Sequence, residues 1–455
     1  MTKILLWHGY LLTGSGSNLY TANLARVWRR SGHDVLLMCQ EQHAELFSFI
    51  DWAGDFSPDN RGWPPAAEAR RASGRCRLIR PAIGRVLPVY VLDAYEGFTA
   101  KRFVDLDDRE LDAYTERNVD ALSAALERFA PDAIVTGHEV MGPHIARRAC
   151  ERAGGSYLAK LHGSALEYAV KPQGRYREYA RSGLNGARVV AGGSHYMIEE
   201  ASSVVPGWRE RAVVVNPGCD VNLFRPIDRP PALTPTVGFV GKLIAAKGVH
   251  NLLSALPLVS IPARATIVGY GDLADALGAL WRALQAGDEE EARSLGRAHS
   301  LPHLTAWLDS GGLTSRYARR AGDIDVRFPG RMEHGPLSEL LPSFDVLVVP
   351  SVVPEAFGMV AAEAAASGVL PVVPRHSGIG EVGATLEREL GIEGLLTYDP
   401  ATPIEGIASA LERVLGLDGA RRQDLGRAAA EVARRLWSWE RVAARLLAFA
   451  TGAPG

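Results

Sequence analysis

The sequence predicts an α/β protein of two doubly wound domains, on three observations. A strand at residues 3–7, a glycine-rich loop Thr13-Gly-Ser-Gly-Ser17, a helix at 18–31 and a strand at 35–39 open the chain. That is a β-α-β unit, which implies a parallel sheet with right-handed crossovers. A second unit of the same kind begins near Thr236, in TVGFVGKLIAAKGVHNLLSAL. Between them the proline-rich segment 217–235, with Pro226, Pro230 and Pro231, reads as a boundary. In such sheets ligands bind beyond the carboxyl ends of the strands, so the residues that follow each strand are the candidates for function.

The remaining elements follow from periodicity. Gly32 is placed to cap the first helix. Residues 52–95 read as irregular, rich in Arg, Pro and Gly, and the arginines from Arg61 to Arg85 read as a solvated loop. A helical pattern resumes over 105–129, followed by short apolar strands at 133–135, 157–161, 189–191 and 213–216. In the second half, strand 237–240 leads through a polar loop to a helix from about Gly248, and strands are expected at 265–268, 325–328, 345–349 and 370–373. Residues 272–324 are too long for a β-to-α connection and carry helical pattern, so they read as a helical insert. The last helix, 438–451, is amphipathic through Val442, Leu446, Leu447 and Phe449 and reads as a packing helix. The expected domains are 1–216 with 436–455 returning to it, a linker at 217–235, and 236–435.

Composition narrows the function classes. With 455 residues the chain has enough length for two or three cores. A 47 % hydrophobic and 22 % charged composition is that of a soluble globular protein. The net charge of −2 gives no support for a nucleic-acid partner. Cys39, Cys76, Cys150 and Cys219 lie far apart, match no metal spacing and read as reduced thiols, which together with the lack of a signal-peptide pattern suggests the cytoplasm. No apolar run is long enough to span a membrane, and peripheral membrane contact is not favoured.

The stretch PSVVPEAFGMVAAEAAASG, residues 350–368, carries the most chemistry. It places Glu355 in a loop after an apolar strand and Glu363 about a turn and a half into a helix of small apolar residues, roughly 12 Å apart were the spacing all helical. A carboxylate among alanines needs a partner or a ligand. Gly358 at the helix start permits close backbone approach, and the helix N-terminus suits a diphosphate. Two carboxylates flanking that point match the hydroxyls at the two ends of a nucleotide-sugar. Lys242 and Lys247 flank the loop after another strand as a plausible diphosphate clamp, and His162 follows a strand beside Gly163.

Taken in order, these segments resemble the retaining glycosyltransferases of family 4, which have the GT-B fold. The resemblance rests on Gly14-Ser-Gly-Ser17, LHGS at 161–164, NPGCDVNLFRP at 216–226, GKLIAAKG at 241–248, VGYGD at 268–272, FPGRM at 328–332, the stretch at 350–368 and SWE at 438–440. It implies two Rossmann-like domains facing a cleft, with the last helix crossing back to the first domain. It implies that Glu355 holds the donor sugar's hydroxyls and Glu363 the ribose hydroxyls. Lys247 and Lys242 would neutralise the departing diphosphate, Lys242 standing where the family usually has Arg. Main-chain N–H groups of Gly358, Met359 and Val360, in a donor-binding turn with Ala356 and Phe357, would hold the distal phosphate, assisted by Gly16 in the loop that includes Gly14. Arg331 and Met332 match the place where main-chain atoms read the base, and His162 would lie against the donor sugar. The helical insert departs from the usual pattern.

The implied reaction moves a hexosyl unit from a nucleotide diphosphate sugar, UDP-glucose by resemblance, to an unidentified hydroxyl acceptor with retained configuration. No DxD-type carboxylate pair sits at a phosphate loop, so neither a metal nor another cofactor is expected. A nucleotide-sugar epimerase on the same fold and a catalytically silent sugar-nucleotide-binding protein remain open at this stage. A dinucleotide oxidoreductase does not fit, since Leu19 stands where G-x-G-x-x-G needs its third glycine.

Overall fold

Short apolar runs form the central strands, buried on both faces as parallel sheets require. The computed structural model describes residues 1–63, 74–92 and 95–453. They divide into two units, Met1–Pro217 with Trp439–Gly455, and Gly218–Ser438.

In the first unit β1 (Lys3–Trp7) and β2 (Asp34–Met38) pair in parallel, with Lys3 opposite Asp34. The helix between them, Gly16–Arg30, starts at Ser15, whose Oγ accepts the Asn18 N–H at 3.3 Å. It buries Tyr20, Leu24, Val27 and Trp28. The other strands are β3 (Trp52–Asp55), β4 (Arg75–Arg80), β5 (Val86–Val89), β6 (Thr99–Arg102), β7 (Ala133–Gly137), β8 (Tyr157–Lys160), β9 (Val189–Gly192) and β10 (Ala212–Val214). The main sheet runs β10-β9-β8-β7-β1-β2-β4-β3, while β5 and β6 pair apart from it. Chain order reverses between β1 and β7, which makes that point the topological switch.

Segment 52–95, expected as irregular, instead supplies β3, β4 and β5. Three of its arginines are ion-paired rather than loosely solvated: Arg75 and Arg77 reach Asp34 at 3.3 and 3.0 Å, and Arg80 reaches Asp55 at 2.7 Å, whereas Arg61 and Arg85 are exposed. Charged residues neutralised on a strand hide the apolar alternation that reveals one. Residues 64–73 and 93–94 of that segment lie outside the described residues.

In the second unit β11 (Thr236–Lys242), β12 (Arg264–Tyr270), β13 (Val326–Gly330), β14 (Val346–Val348), β15 (Leu370–Pro374) and β16 (Thr397–Tyr398) form one parallel sheet. Its order, β13-β12-β11-β14-β15-β16, is that of a doubly wound dinucleotide fold, with the switch between β11 and β14. The two-residue β16 has no counterpart among the expected strands. The insert forms four helices, Ala274–Ala286, Glu289–Ala298, Pro302–Asp309 and Ser315–Gly322. The proline-rich stretch expected as a linker sends Cys219, Val221 and Phe224 into the second unit's core.

The final helix, Trp439–Thr451, belongs to the first unit. Trp439, Val442, Ala443 and Leu446 join that unit's core, and the Trp28 indole N–H donates to the Ala443 carbonyl at 3.0 Å.

Candidate active site

The switch point of the second unit brings together Lys247 and Glu355, which are 108 residues apart in sequence. Lys247 ends a short turn, Ala245–Lys247, after β11, and Glu355 lies in the loop after β14. The Lys247 ammonium donates to Glu355 Oε1 at 2.7 Å, with both side chains half-buried. The two loops are held against each other. Gly248 has φ +67°, and a Cβ there would lie 1.9 Å from the Pro350 carbonyl oxygen, so only glycine fits. The Val352 N–H donates to the Ala246 carbonyl at 3.0 Å.

Further hydrogen bonds set the conformation of the carboxylate loop. The Ser351 hydroxyl donates to Glu355 Oε1. The Glu355 N–H donates to Ser377 Oγ at 3.0 Å, and the Gly378 N–H donates to the Glu355 carbonyl at 2.8 Å. His376 bridges the Ser377 hydroxyl at 2.9 Å and the Ser351 carbonyl at 3.1 Å. Lys242, at the end of β11, is exposed, and its ammonium is in no ion pair among the described residues.

Gly358 takes φ +105° and opens the helix Met359–Ala366. The Ala361 and Ala362 N–H groups donate to the Gly358 carbonyl. The N–H groups of Gly358, Met359 and Val360 have no main-chain partner among the described residues, which leaves three donors at a positive helix end. Phe357 is turned away, buried 5.7 Å from Trp437 (ring centroids), so only its main chain can serve a ligand. Ala356 and the first helical residues, Met359 and Val360, are half-buried.

Glu363 is 7 % exposed, between Ala362 and Ala364 at 0 %. No hydrogen bond or ion pair to its carboxylate is present among the described residues, and burial pushes its carboxyl up to about 8. Such a group is primed for a hydroxyl, which would restore the hydrogen bonds that burial removes. Beyond β13, Arg331 is exposed and paired with Glu333 at 2.9 Å, and Met332 packs partly on the core.

The first unit has its own polar cluster at its own switch point. His8 follows β1, His138 and Glu139 follow β7, and His162 follows β8. The His138 ring lies 5.8 Å from His8 and 4.8 Å from His162, and Tyr20 lies 5.2 Å from His162 on another side. His8 Nε2 meets Asn18 Oδ1 at 2.9 Å, and Asn18 donates to the Thr13 carbonyl in the glycine loop. Burial, then the neighbouring His138, Lys160 and His8, hold His162 well below the ordinary histidine range; burial does the same to His138. These imidazoles are therefore neutral at physiological pH and act by hydrogen bonding rather than as cations. Glu139 Oε1 accepts the N–H groups of His162 at 3.2 Å and Gly163 at 2.7 Å, which fixes the turn that carries His162. Gly14 and Gly16 are exposed, Gly16 as the first residue of its helix.

Family models match both units: a glycosyl transferase 4-like domain over residues 15–218 and glycosyl transferases group 1 over 317–432. Known structures match nearly the whole chain. Anabaena HepE, solved in complex with UDP, superposes with a TM-score of 0.61 at 15 % identity, covering 98 % of each chain. Sucrose-phosphate synthase from Thermosynechococcus elongatus gives 0.60 at 20 % identity, over 98 % of this chain and 97 % of that one. The fold is GT-B, and each unit resembles a glycosyltransferase family model. Among sequence relatives, a glycogen synthase of Mycobacterium tuberculosis is 30 % identical over 242 residues, which is 52 % of this chain and 47 % of that protein. The chain spans about half the length of the curated relatives it matches.

Sequence reasoning missed several functional candidates. Ser351 lay inside the stretch already singled out, but nothing marked it as a carboxylate partner. His376 and Ser377 follow β15, and the rule that ligands gather after parallel strands could have found them. The same rule points to His8 and Glu139, whose role appears only when β1, β7 and β8 are set side by side.

Proposed function

We propose that this protein is a glycosyltransferase that moves a hexosyl unit from a nucleotide diphosphate sugar to a hydroxyl acceptor, with retained configuration and without a metal. The observation that carries the reading is the Lys247–Glu355 pair at the second unit's switch point, in the loop that leads to the N–H groups of Gly358, Met359 and Val360, which have no main-chain partner among the described residues. In the donor complex the pair would exchange partners. Glu355 would accept the donor sugar's hydroxyls, and Lys247, with Lys242, would meet the diphosphate. As the glycosidic bond breaks, negative charge grows on the leaving phosphate, where these preorganised groups stabilise it more than they stabilise the ground state. The buried Glu363 would take the ribose hydroxyls, and the main chain at Arg331 and Met332 the base. His162, neutral, would hydrogen-bond the donor sugar. In a front-face route the leaving phosphate oxygen accepts the acceptor's proton, which requires no enzymic nucleophile. The HepE structures solved with UDP and with UDP-glucose support uracil as the base and a glucose-type sugar.

The first test is a thermal-shift series with UDP, GDP, ADP and NAD. One nucleoside diphosphate alone is expected to raise the melting temperature, by about 2.7 kcal/mol of stability at 100 times its dissociation constant. A rise with NAD alone would overturn the reading. Lys247→Ala is expected to lower kcat/KM by roughly 100-fold or more, the scale of losing one preorganised charge partner. Near-wild-type turnover in a folded Lys247→Ala protein would remove the clamp. Full turnover in a chelator is expected.

A further inference from the structure

Three strands of the second unit end in one row. Lys242 closes β11, and the pairing of β11 with β12 sets Tyr270 directly opposite it. Val268 of β12 pairs with Gly330 of β13, so Arg331 follows the end of the next strand outward. Paired residues of parallel strands share a sheet face, so Lys242 and Tyr270 lie on one face, and the Arg331 side chain reaches the Tyr270 ring from beyond β13. Tyr270 is 48 % exposed, and the Arg331 guanidinium carbon lies over its ring, 5.0 Å from the centroid. Arg331 is held in turn by Glu333 at 2.9 Å. The phenol hydroxyl has no hydrogen-bond partner among the described residues. A half-exposed aromatic side chain is thus steadied on one face by a paired guanidinium, at the carboxyl edge of a doubly wound sheet.

We infer that the Tyr270 ring, steadied by Arg331, is the platform on which the donor's nucleobase stacks; this rests on the reading of Lys242 and Lys247 as the diphosphate clamp. From the loop after β14, which carries Glu355, to the end of β13 is three strand spacings, about 14 Å at about 4.8 Å each. That row orders the ligand as sugar at Glu355, diphosphate at the lysines and base at Tyr270. Stacking is tolerant of base identity, so Tyr270 supplies affinity, while main-chain atoms beyond β13 supply discrimination.

The test is calorimetric titration of the full chain with UDP, GDP and ADP, and separately with inorganic pyrophosphate, which keeps the charges and lacks the base. For the nucleoside diphosphate that wild type binds, Tyr270→Ala is expected to weaken affinity roughly tenfold to 100-fold, the worth of one base–aromatic stack. Tyr270→Phe should keep it, and neither variant should alter pyrophosphate binding. Unchanged nucleoside diphosphate affinity in Tyr270→Ala, or an equal loss for pyrophosphate, overturns the platform while leaving the donor site standing. If wild type binds none of the three diphosphates, the donor-site reading fails first, and the platform with it.

Discussion

Glu363 and Lys160 are buried ionisable groups whose pKa values move in opposite directions, and their effects on stability can be separated by pH. The Glu363 carboxyl is raised from an ordinary 4.5 to about 8 by burial. Between those values the folded protein holds a proton that the unfolded chain has released. The stability this contributes is full below about pH 4.5 and is lost as pH rises through 8. Glu363→Gln is therefore expected to match wild type in thermal melts near pH 5. It should exceed wild type near pH 9 by up to a few kcal/mol, while weakening donor binding. Equal offsets at both pH values would show that the ionisation is not felt. Lys160 is 2 % exposed and lowered to about 7 by burial, opposed by the nearby Glu139; its ammonium donates to the Val215 carbonyl at 2.7 Å. Here the folded state sheds its proton first, so the penalty is full below pH 7 and fades as pH climbs towards 10.5. Lys160→Met removes that penalty but leaves the Val215 carbonyl unpaired at every pH. Its stability relative to wild type should therefore fall between pH 7 and 10, and a flat difference would contradict the assignment.

At the scale of elements, the helix Met359–Ala366 depends on one glycine. A Cβ at Gly358 would sit 2.9 Å from Ile379 Cγ1 and would require φ +105° of an L-residue. That conformation costs roughly 1–2 kcal/mol before any clash. Gly358→Ala should lower stability by at least that much and weaken binding of whichever nucleoside diphosphate the protein takes, by moving the helix start; Gly322→Ala, at a site with open space, should do neither. Titration of both variants would decide. This helix was legible in the sequence because its run of alanines is apolar all round and glycine marks its start. β1, β7, β8 and β15 were legible because they are short, apolar and buried. β3 and β4 were not, since Asp34 and Asp55 neutralise the arginines that broke the apolar pattern. The pair Lys247–Glu355 was anticipated as two members of one site, but not as a contact. Its partners Ser351, His376 and Ser377 depend on which strands lie next to each other, and sheet order is a property that local periodicity does not carry.

At the scale of the whole molecule, the second unit is an insertion in the first. The chain leaves the first unit after Pro217 and returns to it at Trp439. The excursion begins and ends at one place: the Cys219 N–H donates to the Trp437 carbonyl at 2.7 Å, and Cys219 bridges Ser438 in parallel. An inserted domain whose ends meet can be excised without opening its fold. The second unit's buried core, from Cys219 to Trp437, is drawn from its own residues. Lys242, Lys247, Tyr270, Arg331, Glu355 and Glu363 all lie within it. A protein of residues 218–438 is therefore expected to melt cooperatively and to be stabilised by the nucleoside diphosphate that the full chain binds. The first unit is not expected to survive a simple cut at 217, because Trp439, Val442, Ala443 and Leu446 of the last helix belong to its core. Residues 1–217 alone would leave the Trp28 indole N–H without the Ala443 carbonyl and would expose the face that helix covers. Joining 217 to 439 through a short flexible linker should restore a cooperative melt. If residues 218–438 fail to fold while that linked first unit succeeds, the second unit depends on its host and the insertion picture is wrong.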